Sequence, residues 1–129
     1  MERRLLQAAI ALACLVPIIG GLAGIVGGAG MLHHGGDVTL DSHVRYLSGL
    51  LLGIGLAFLS LVPNVEKQGA AAAMLSAIVV VGGLSRLYGV IVDGSPAPSM
   101  VFALGMELGV VPMIYLWQRR VATAALAPP

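Results

Sequence analysis

Three charged side chains interrupt long apolar stretches of this sequence: Arg45, Arg86 and Glu107. An ionised side chain at the centre of a membrane-spanning helix costs at least about 2.5–3.5 kcal/mol, so such residues are candidates for function. A guanidinium offers parallel N–H donors to a carboxylate, and we therefore expect Arg86 to pair with Glu107. The pair would form a polar pocket for a head group, hold a proton-handling carboxylate, or simply fix the register of two helices.

The composition indicates that a bilayer surrounds these residues. The chain has 129 residues, of which 58% are hydrophobic and 10% charged, and its mean hydropathy is +0.97. An average soluble domain carries about 25% charged residues. A soluble fold of this size would leave much of its apolar surface in water, because small domains bury a smaller fraction of their surface. We therefore predict one integral membrane domain covering residues 1–129.

Four apolar stretches are close to the roughly 20 residues that a spanning helix needs. They cover residues 5–30, 45–62, 69–92 and 98–117. The connections are short, which favours an all-α four-helix bundle with antiparallel, up-down topology. The first stretch is too long for the apolar core of a signal peptide, so we expect an uncleaved span. The tail, residues 121–129, is expected to be mobile.

The basic residues predict the orientation of the helices. With the N-terminus in the cytoplasm, nearly all Lys and Arg outside the spans fall on the cytoplasmic side, as the positive-inside rule requires. These residues are Arg3, Arg4, Lys67, Arg119 and Arg120. Tyr115 and Trp117 would then lie at the cytoplasmic interface, where aromatic side chains act as anchors. We expect a multi-pass protein of the cell's inner (cytoplasmic) membrane with both termini in the cytoplasm.

The depth of the charged residues supports the expected pair. Arg86 precedes the outer end of its span by enough residues to lie ~9 Å inside the membrane, and Glu107 lies ~12 Å inside from the same side. Arg45 is nearer the surface, and either a snorkelling role or membership of the pocket is open. Tyr46 and Tyr88 would add hydroxyls to the pocket or serve as interface anchors.

Small residues recur at a spacing of four, which places them on one helix face. The three runs are Gly20-Gly24-Gly28, Gly49-Gly53 and Gly105-Gly109. We favour tight packing within the chain over a homo-oligomer seam, although such motifs serve both purposes.

The predicted outer loop, residues 31–44, contains His33, His34 and His43, together with Asp41 as the expected N-cap of the second span. Zinc or copper is conceivable there, but the spacing matches no strong metal motif, so we favour solvated histidines. No cofactor motif is present and no cofactor is predicted. The net charge of +1 argues against nucleic acid as a partner.

The chain resembles the small DoxX-like membrane proteins, and within them a bacterial family of unknown function. The resemblance rests on DSHVRYLSG at residues 41–49, GGLSRL at residues 82–87 and Glu107. It implies a four-helix bundle of the kind found among accessory subunits and assembly factors, and it implies no common reaction. Because Cys14 is the sole cysteine, the chain lacks the paired cysteines of some DoxX-like proteins, which argues against a thiol redox role.

These observations favour a binding or accessory protein whose pocket, lined by Arg45, Arg86 and Glu107, opens toward the outer leaflet. Its occupant would be a membrane lipid, a quinone-like molecule or a partner membrane protein. An enzyme that acts on a lipid-soluble substrate, with Glu107 as general acid or base, is the alternative. A small transporter is a further alternative, against which stand the few spans and the absence of paired broken helices.

Overall fold

The computed structural model describes residues 1–32 and 36–126, and this part of the chain contains no strand. Five α-helices follow one another: α1 (Glu2–Gly27), α2 (Val38–Leu61), α3 (Gly69–Asp93), α4 (Pro98–Gly105) and α5 (Val111–Leu126). Two 3₁₀ segments, Gly28–Leu32 and Val62–Lys67, follow α1 and α2. A π-helical turn, Met106–Val110, joins α4 to α5. The expectation of an all-helical protein is confirmed for the described residues.

Four helical segments are long and apolar enough to cross a membrane. Among the described residues these are Glu2–Met31, Val38–Lys67, Gly69–Asp93 and Pro98–Leu126. Their apolar side chains are largely exposed: Leu12, Met74 and Met113 have 68%, 63% and 70% of their surface accessible. Soluble monomers rarely expose contiguous apolar patches of more than a few hundred Å². The exposed surface therefore indicates a membrane protein.

The chain divides into two compact units. The first unit, Ala8–Val62, contains most of α1 and all of α2, while the second unit combines Met1–Gln7 with Pro63–Pro129. In the first unit, the two helices approach closely at Gly21, where an added Cβ would lie 2.7 Å from the Leu52 amide nitrogen and 2.8 Å from the Ser48 carbonyl oxygen. At Gly24, an added Cβ would lie 2.8 Å from the Ser48 Cβ. Glycine is required where two helix backbones come this near.

The glycine runs are only partly used for packing within the chain. Gly24 and Gly28 contact α2, but a Cβ at Gly20 would meet only Leu51 at an ordinary 3.7 Å. The other two runs face open space, since an added Cβ at any of their members would have no atom within 4 Å. These members are Gly49, Gly53, Gly105 and Gly109. Spacing alone identified a small-residue face but did not show whether that face is packed.

Helix α2 begins earlier than the sequence predicted. Asp37, and not Asp41, is the N-cap: its side chain accepts hydrogen bonds from the backbone N–H of Thr39 and Leu40 at 2.9 and 3.1 Å. A side-chain acceptor at this position satisfies N–H groups that have no partner inside the helix. His43, placed in a loop by the sequence, therefore lies on α2 and is exposed.

The second unit is a pair of helical segments joined by a short turn. Helix α3 ends where Gly94 adopts a positive φ of 96°, and α4 begins with Pro98 in its first turn. Positive φ favours glycine after a helix, and proline suits a first turn whose N–H has no helical partner. At its other end, α5 continues to Leu126 with Val121 buried, and the expected mobility of residues 121–129 stays a prediction. Residues 127–129 lie outside the described residues.

The end of the second unit that holds the N-terminus is tied by polar contacts. Arg3 forms an ion pair with Glu66 at 2.8 Å and donates to the Pro63 carbonyl at 2.8 Å. Gln118 is 1% exposed and its Nε2 donates to the Val65 carbonyl at 2.8 Å, but its Oε1 has no hydrogen-bond partner in the described part of the chain. An enclosed acceptor without a donor costs about 1–3 kcal/mol.

Candidate functional site

Arg86 on α3 and Glu107 in the π turn form a bidentate ion pair, which confirms the expected pairing. The Arg86 Nε donates to Glu107 Oε2 at 3.0 Å, and Nη2 donates to Oε1 at 3.0 Å. The Arg86 side chain is 33% exposed and that of Glu107 is 16% exposed. Side-on pairing of this type provides two charge-assisted hydrogen bonds and fixes the relative orientation of both groups.

The π turn that carries Glu107 has a local cause in the sequence. The Val111 N–H donates to the Met106 carbonyl, a bond that spans five residues and not four. The next residue, Pro112, lacks an N–H, and its ring would clash with the carbonyl of Leu108 in a regular α-helix. A π turn accommodates both effects by widening the helix, and π turns inside α-helices frequently occur at functional sites.

Glycines on α3 set how closely the two helices approach beside the pair. A Cβ at Gly83 would lie 2.8 Å from Leu108 Cδ2 and 2.9 Å from Glu107 Cβ, so only glycine fits against the π turn. By contrast, a Cβ at Gly82 or at Gly89 would have no atom within 4 Å. These two glycines lie four residues before and three residues after Arg86, hence on its face of the helix. The pair therefore has a tight contact on one flank and open space beside it.

The guanidinium of Arg86 has donors that the protein uses weakly or not at all. Two of its five N–H groups serve Glu107, and Nη1 donates to the thioether of Met100 at 3.1 Å. A thioether is a weak acceptor. The remaining two N–H groups have no acceptor among the described residues. Arg86 can therefore hold a further acceptor without breaking its bond to Glu107.

Arg45, unlike Arg86, pairs with a carboxylate on its own helix and donates to backbone carbonyls. It forms an ion pair with Asp41 one turn earlier on α2, with 2.7 Å between Nε and Oδ2, and its Nη1 donates to the carbonyls of Ile25 and Val26. Asp41 Oδ1 also accepts from the Ala29 N–H at 2.9 Å. Arg45 thus satisfies carbonyls near the end of α1 that have no partner inside that helix. Its place in a pocket with Arg86 and Glu107 stays a prediction.

The predicted tyrosines make no hydrogen bond in the described part of the molecule. Tyr46 is 65% exposed and Tyr88 is 69% exposed. Tyr88 lies two residues after Arg86, and residues with that spacing do not face each other on a helix. Ligand contact by either tyrosine stays a prediction.

The metal hypothesis gains no support from the described residues. They contain no group of three His, Cys, Asp or Glu side chains placed to share an ion. His33 and His34 lie outside the described residues.

Two features of the site were not anticipated from the sequence. The first is the π turn, for which Pro112 was the available signal. The second is the contact between Arg86 and Met100, which no spacing rule predicts, because the two residues belong to different helices.

The fold and the site define a class: a small helical membrane protein with four segments able to span a bilayer and a charged pair within two of them. The chain belongs to the family described as domain of unknown function DUF4345, whose model matches residues 5–118. The match includes every residue of the Arg86 site and nearly all of the helical part. No curated protein and no solved structure matches the chain.

Proposed function

We propose that this protein binds the neutral, oxygen-bearing head of a lipid-soluble ligand at the Arg86–Glu107 pair. The proposal rests on the Arg86 N–H groups that have no acceptor among the described residues, or only the Met100 thioether. These groups lie beside the open space at Gly82 and Gly89. A carbonyl oxygen, as in a quinone or an ester, would accept from these donors, and it is a stronger acceptor than the Met100 thioether.

The charge of the pair favours a neutral head group over an anionic one. Glu107 already balances the charge of Arg86 through two hydrogen bonds of 3.0 Å. An anion would gain attraction from Arg86 but meet repulsion from the adjacent carboxylate, and both effects are large where water is excluded. A neutral acceptor gains a charge-assisted hydrogen bond without that repulsion.

A binding assay with two matched probes tests the proposal. Purified protein in detergent is titrated with a short-chain ubiquinone analogue and with laurate, which differ in the charge of their oxygen-bearing heads. We expect the quinone to bind and to raise the unfolding temperature. In the double variant Arg86→Met with Glu107→Leu, binding should weaken at least about tenfold, since hydrogen bonds to charged groups contribute about 1.5–3 kcal/mol.

The control is Arg120→Gln, which changes an arginine paired with Glu2 at 3.2 Å and outside the site. Quinone binding should be unchanged in this variant. Equal quinone binding by the wild-type protein and the double variant would refute the proposal. Binding of laurate alone would show that the head group is anionic and would refute the choice of a neutral ligand.

Geometry favours binding over catalysis at Glu107. Both carboxylate oxygens accept from Arg86, so a proton transferred to Glu107 would remove the negative charge that strengthens these hydrogen bonds. The enzyme alternative predicts turnover of a lipid-soluble substrate that is lost in the variant Glu107→Gln. Absence of turnover across a panel of quinone and ester substrates would count against it.

We further propose that the family is distantly related to the DoxX-like proteins and that the chain lies in a bacterial inner membrane with both termini in the cytoplasm. The clustering of Arg3, Arg4, Lys67, Arg119 and Arg120 near the ends of the spans supports this orientation. Single cysteines at Lys67 and Asp93, in a Cys14→Ala background, would report it. A membrane-impermeant thiol reagent applied from outside intact spheroplasts should label position 93 and not position 67.

A further inference from the structure

A groove in the second unit lies far along α3 from the Arg86 site. Its walls are the first turn of α3 and the last turns of α5, and its volume is about 480 Å³. Small residues of α3 open it, and polar side chains of α5 line its opposite side. The residues that matter here are Gly69, Ala70, Ala73, Gln118 and Arg119.

The α3 side of the groove is a helix N-terminus without a side-chain cap. Gln68 occupies the N-cap position, and its side chain makes no capping hydrogen bond. The first N–H groups of an α-helix have no partner within the helix, and the helix dipole favours negative charge beside them. Gly69 and Ala70, which belong to this first turn, both line the groove. This wall of the groove therefore suits a phosphate.

The α5 side contains a buried acceptor that lacks a donor. Gln118 lines the groove with 1% of its surface exposed, and its Nε2 is committed to the Val65 carbonyl at 2.8 Å. The side-chain atom that faces the Val65 carbonyl must be the amide nitrogen of Gln118, because Oε1 in the same place would face another acceptor. Oε1 is left without a hydrogen bond in the described part of the chain. A hydroxyl group of an occupant would supply the missing donor once the amide turned Oε1 toward the groove.

Arg119 adds a positive charge to the same groove. No ion-pair partner of Arg119 occurs among residues 1–32 and 36–126, whereas its neighbour Arg120 is paired with Glu2 at 3.2 Å. The two arginines are adjacent in sequence, yet only Arg119 lines the groove. The groove thus combines the N–H groups of a helix N-terminus, a cation without an ion-pair partner among the described residues, and one buried acceptor.

We propose that this groove binds the head group of an anionic phospholipid that carries a hydroxyl group, such as phosphatidylglycerol. The phosphate lies at the N-terminus of α3 and against Arg119, and the hydroxyl donates toward Gln118 Oε1. The acyl chains extend along the exposed apolar surface of α3, which includes Met74 and Ile78 at 63% and 48% exposure. This site is independent of the neutral ligand proposed for Arg86.

Native mass spectrometry of the full-length protein in detergent tests the proposal with three lipids. Phosphatidylglycerol carries the phosphate and the hydroxyls, phosphatidylmethanol carries the same charge without a hydroxyl, and phosphatidylcholine carries neither a net charge nor a hydroxyl. The expected order of retention is phosphatidylglycerol, then phosphatidylmethanol, then phosphatidylcholine. Arg119→Gln should weaken phosphatidylglycerol binding about fivefold, since a basic residue near an anionic lipid contributes about that factor. Arg120→Gln is the matched control and should leave it unchanged.

The variant Gln118→Leu tests the contribution of the lipid hydroxyl group separately from that of the lipid charge. In this variant the preference for phosphatidylglycerol over phosphatidylmethanol should disappear, while the preference of both over phosphatidylcholine remains. Should Gln118→Leu fail to fold, the comparison of the exposed Arg119 and Arg120 variants still decides the question. Equal loss in both arginine variants would overturn the proposal, because it would indicate unspecific surface attraction. Displacement of phosphatidylglycerol by an equal concentration of inorganic phosphate would overturn the assignment to a lipid.

Discussion

The two units each contain one arginine–carboxylate pair, and the two pairs differ in what they leave free. In the first unit, Asp41 and Arg45 lie one turn apart on α2, and Arg45 gives further donors to carbonyls of α1. In the second unit, Arg86 reaches a carboxylate on another helix and keeps two N–H groups without an acceptor among the described residues. Arg45 links α2 to the end of α1, whereas Arg86 has donors available for a ligand.

This difference shows that a charge within an apolar helix does not by itself identify a binding site. Both arginines are costly to place near hydrocarbon, and both find a carboxylate. The two arginines differ in how many N–H groups remain without an acceptor after each has formed its hydrogen bonds within the protein. Open space does not separate the two arginines, because Gly49, four residues after Arg45, is as open as Gly82 and Gly89 beside Arg86.

The largest effect on stability is expected when one partner of the Arg86–Glu107 pair is removed. Glu107→Leu leaves Arg86 unpaired in an apolar setting and should destabilise the protein by about 2.5–3.5 kcal/mol. Unfolding in mixed micelles with increasing dodecyl sulfate measures this change. Adding Arg86→Met should recover most of the loss, since replacing both partners by apolar groups is often neutral. If the double variant is as unstable as the single one, the cost lies in packing and not in the unpaired charge.

The next effect concerns the close contact that positions Glu107. Gly83→Ala places a methyl group 2.8 Å from Leu108 Cδ2 and should destabilise the protein by about 1–3 kcal/mol, as overpacking does. Gly82→Ala is the control: its methyl group meets no atom within 4 Å, and alanine favours helix by up to about 1 kcal/mol. The same micelle titration compares the two. Equal destabilisation by both substitutions would contradict the described contact.

A smaller effect is expected in the first unit. Arg45→Gln removes donors to the carbonyls of Ile25 and Val26 and should lower the unfolding midpoint by less than Gly83→Ala does. Quinone binding should stay at the wild-type level, because Arg45 gives its donors to its own unit. A loss of quinone binding without a loss of stability would place Arg45 in the ligand pocket and remove the contrast between the two arginines.

The smallest effect on stability should come from Met100→Leu, a substitution that conserves volume. It removes the thioether that accepts from Arg86 Nη1 and frees that donor. Quinone binding, measured by the same titration as for the double variant, should be equal to the wild type or tighter. Weaker binding would mean that Met100 contacts the ligand itself.

The main features of the fold were predictable because they depend on distance along the chain. Helices α3 and α4 begin at Gly69 and Pro98, as the predicted spans do, since glycine and proline mark helix ends. The pairing of Arg86 with Glu107 followed from counting residues from the shared loop, at 1.5 Å each. A count of this kind needs no knowledge of side-chain packing.

Other features depend on contacts that leave no pattern in one sequence. Asp37 and Asp41 are both suitable N-caps, and the choice of Asp37 for capping frees Asp41 to bind Arg45 and the Ala29 N–H. Glycine spacing identified faces, but only the neighbouring helix decides that Gly24 is packed and Gly49 is open. Besides Asp41, Arg45 donates to backbone carbonyls of α1, and backbone carbonyls occur in every sequence.

The π turn also has a consequence for how the sequence of this span is compared with others. A π turn is one residue inserted into an α-helix, so the residues beyond it are rotated by about 100° relative to a continuous helix. The segments Pro98–Gly105 and Val111–Leu126 therefore follow two separate helical phases. Deleting one residue between Met106 and Val110 would restore a single phase and turn the whole of α5, with Gln118 and Arg119, toward a different side of α3.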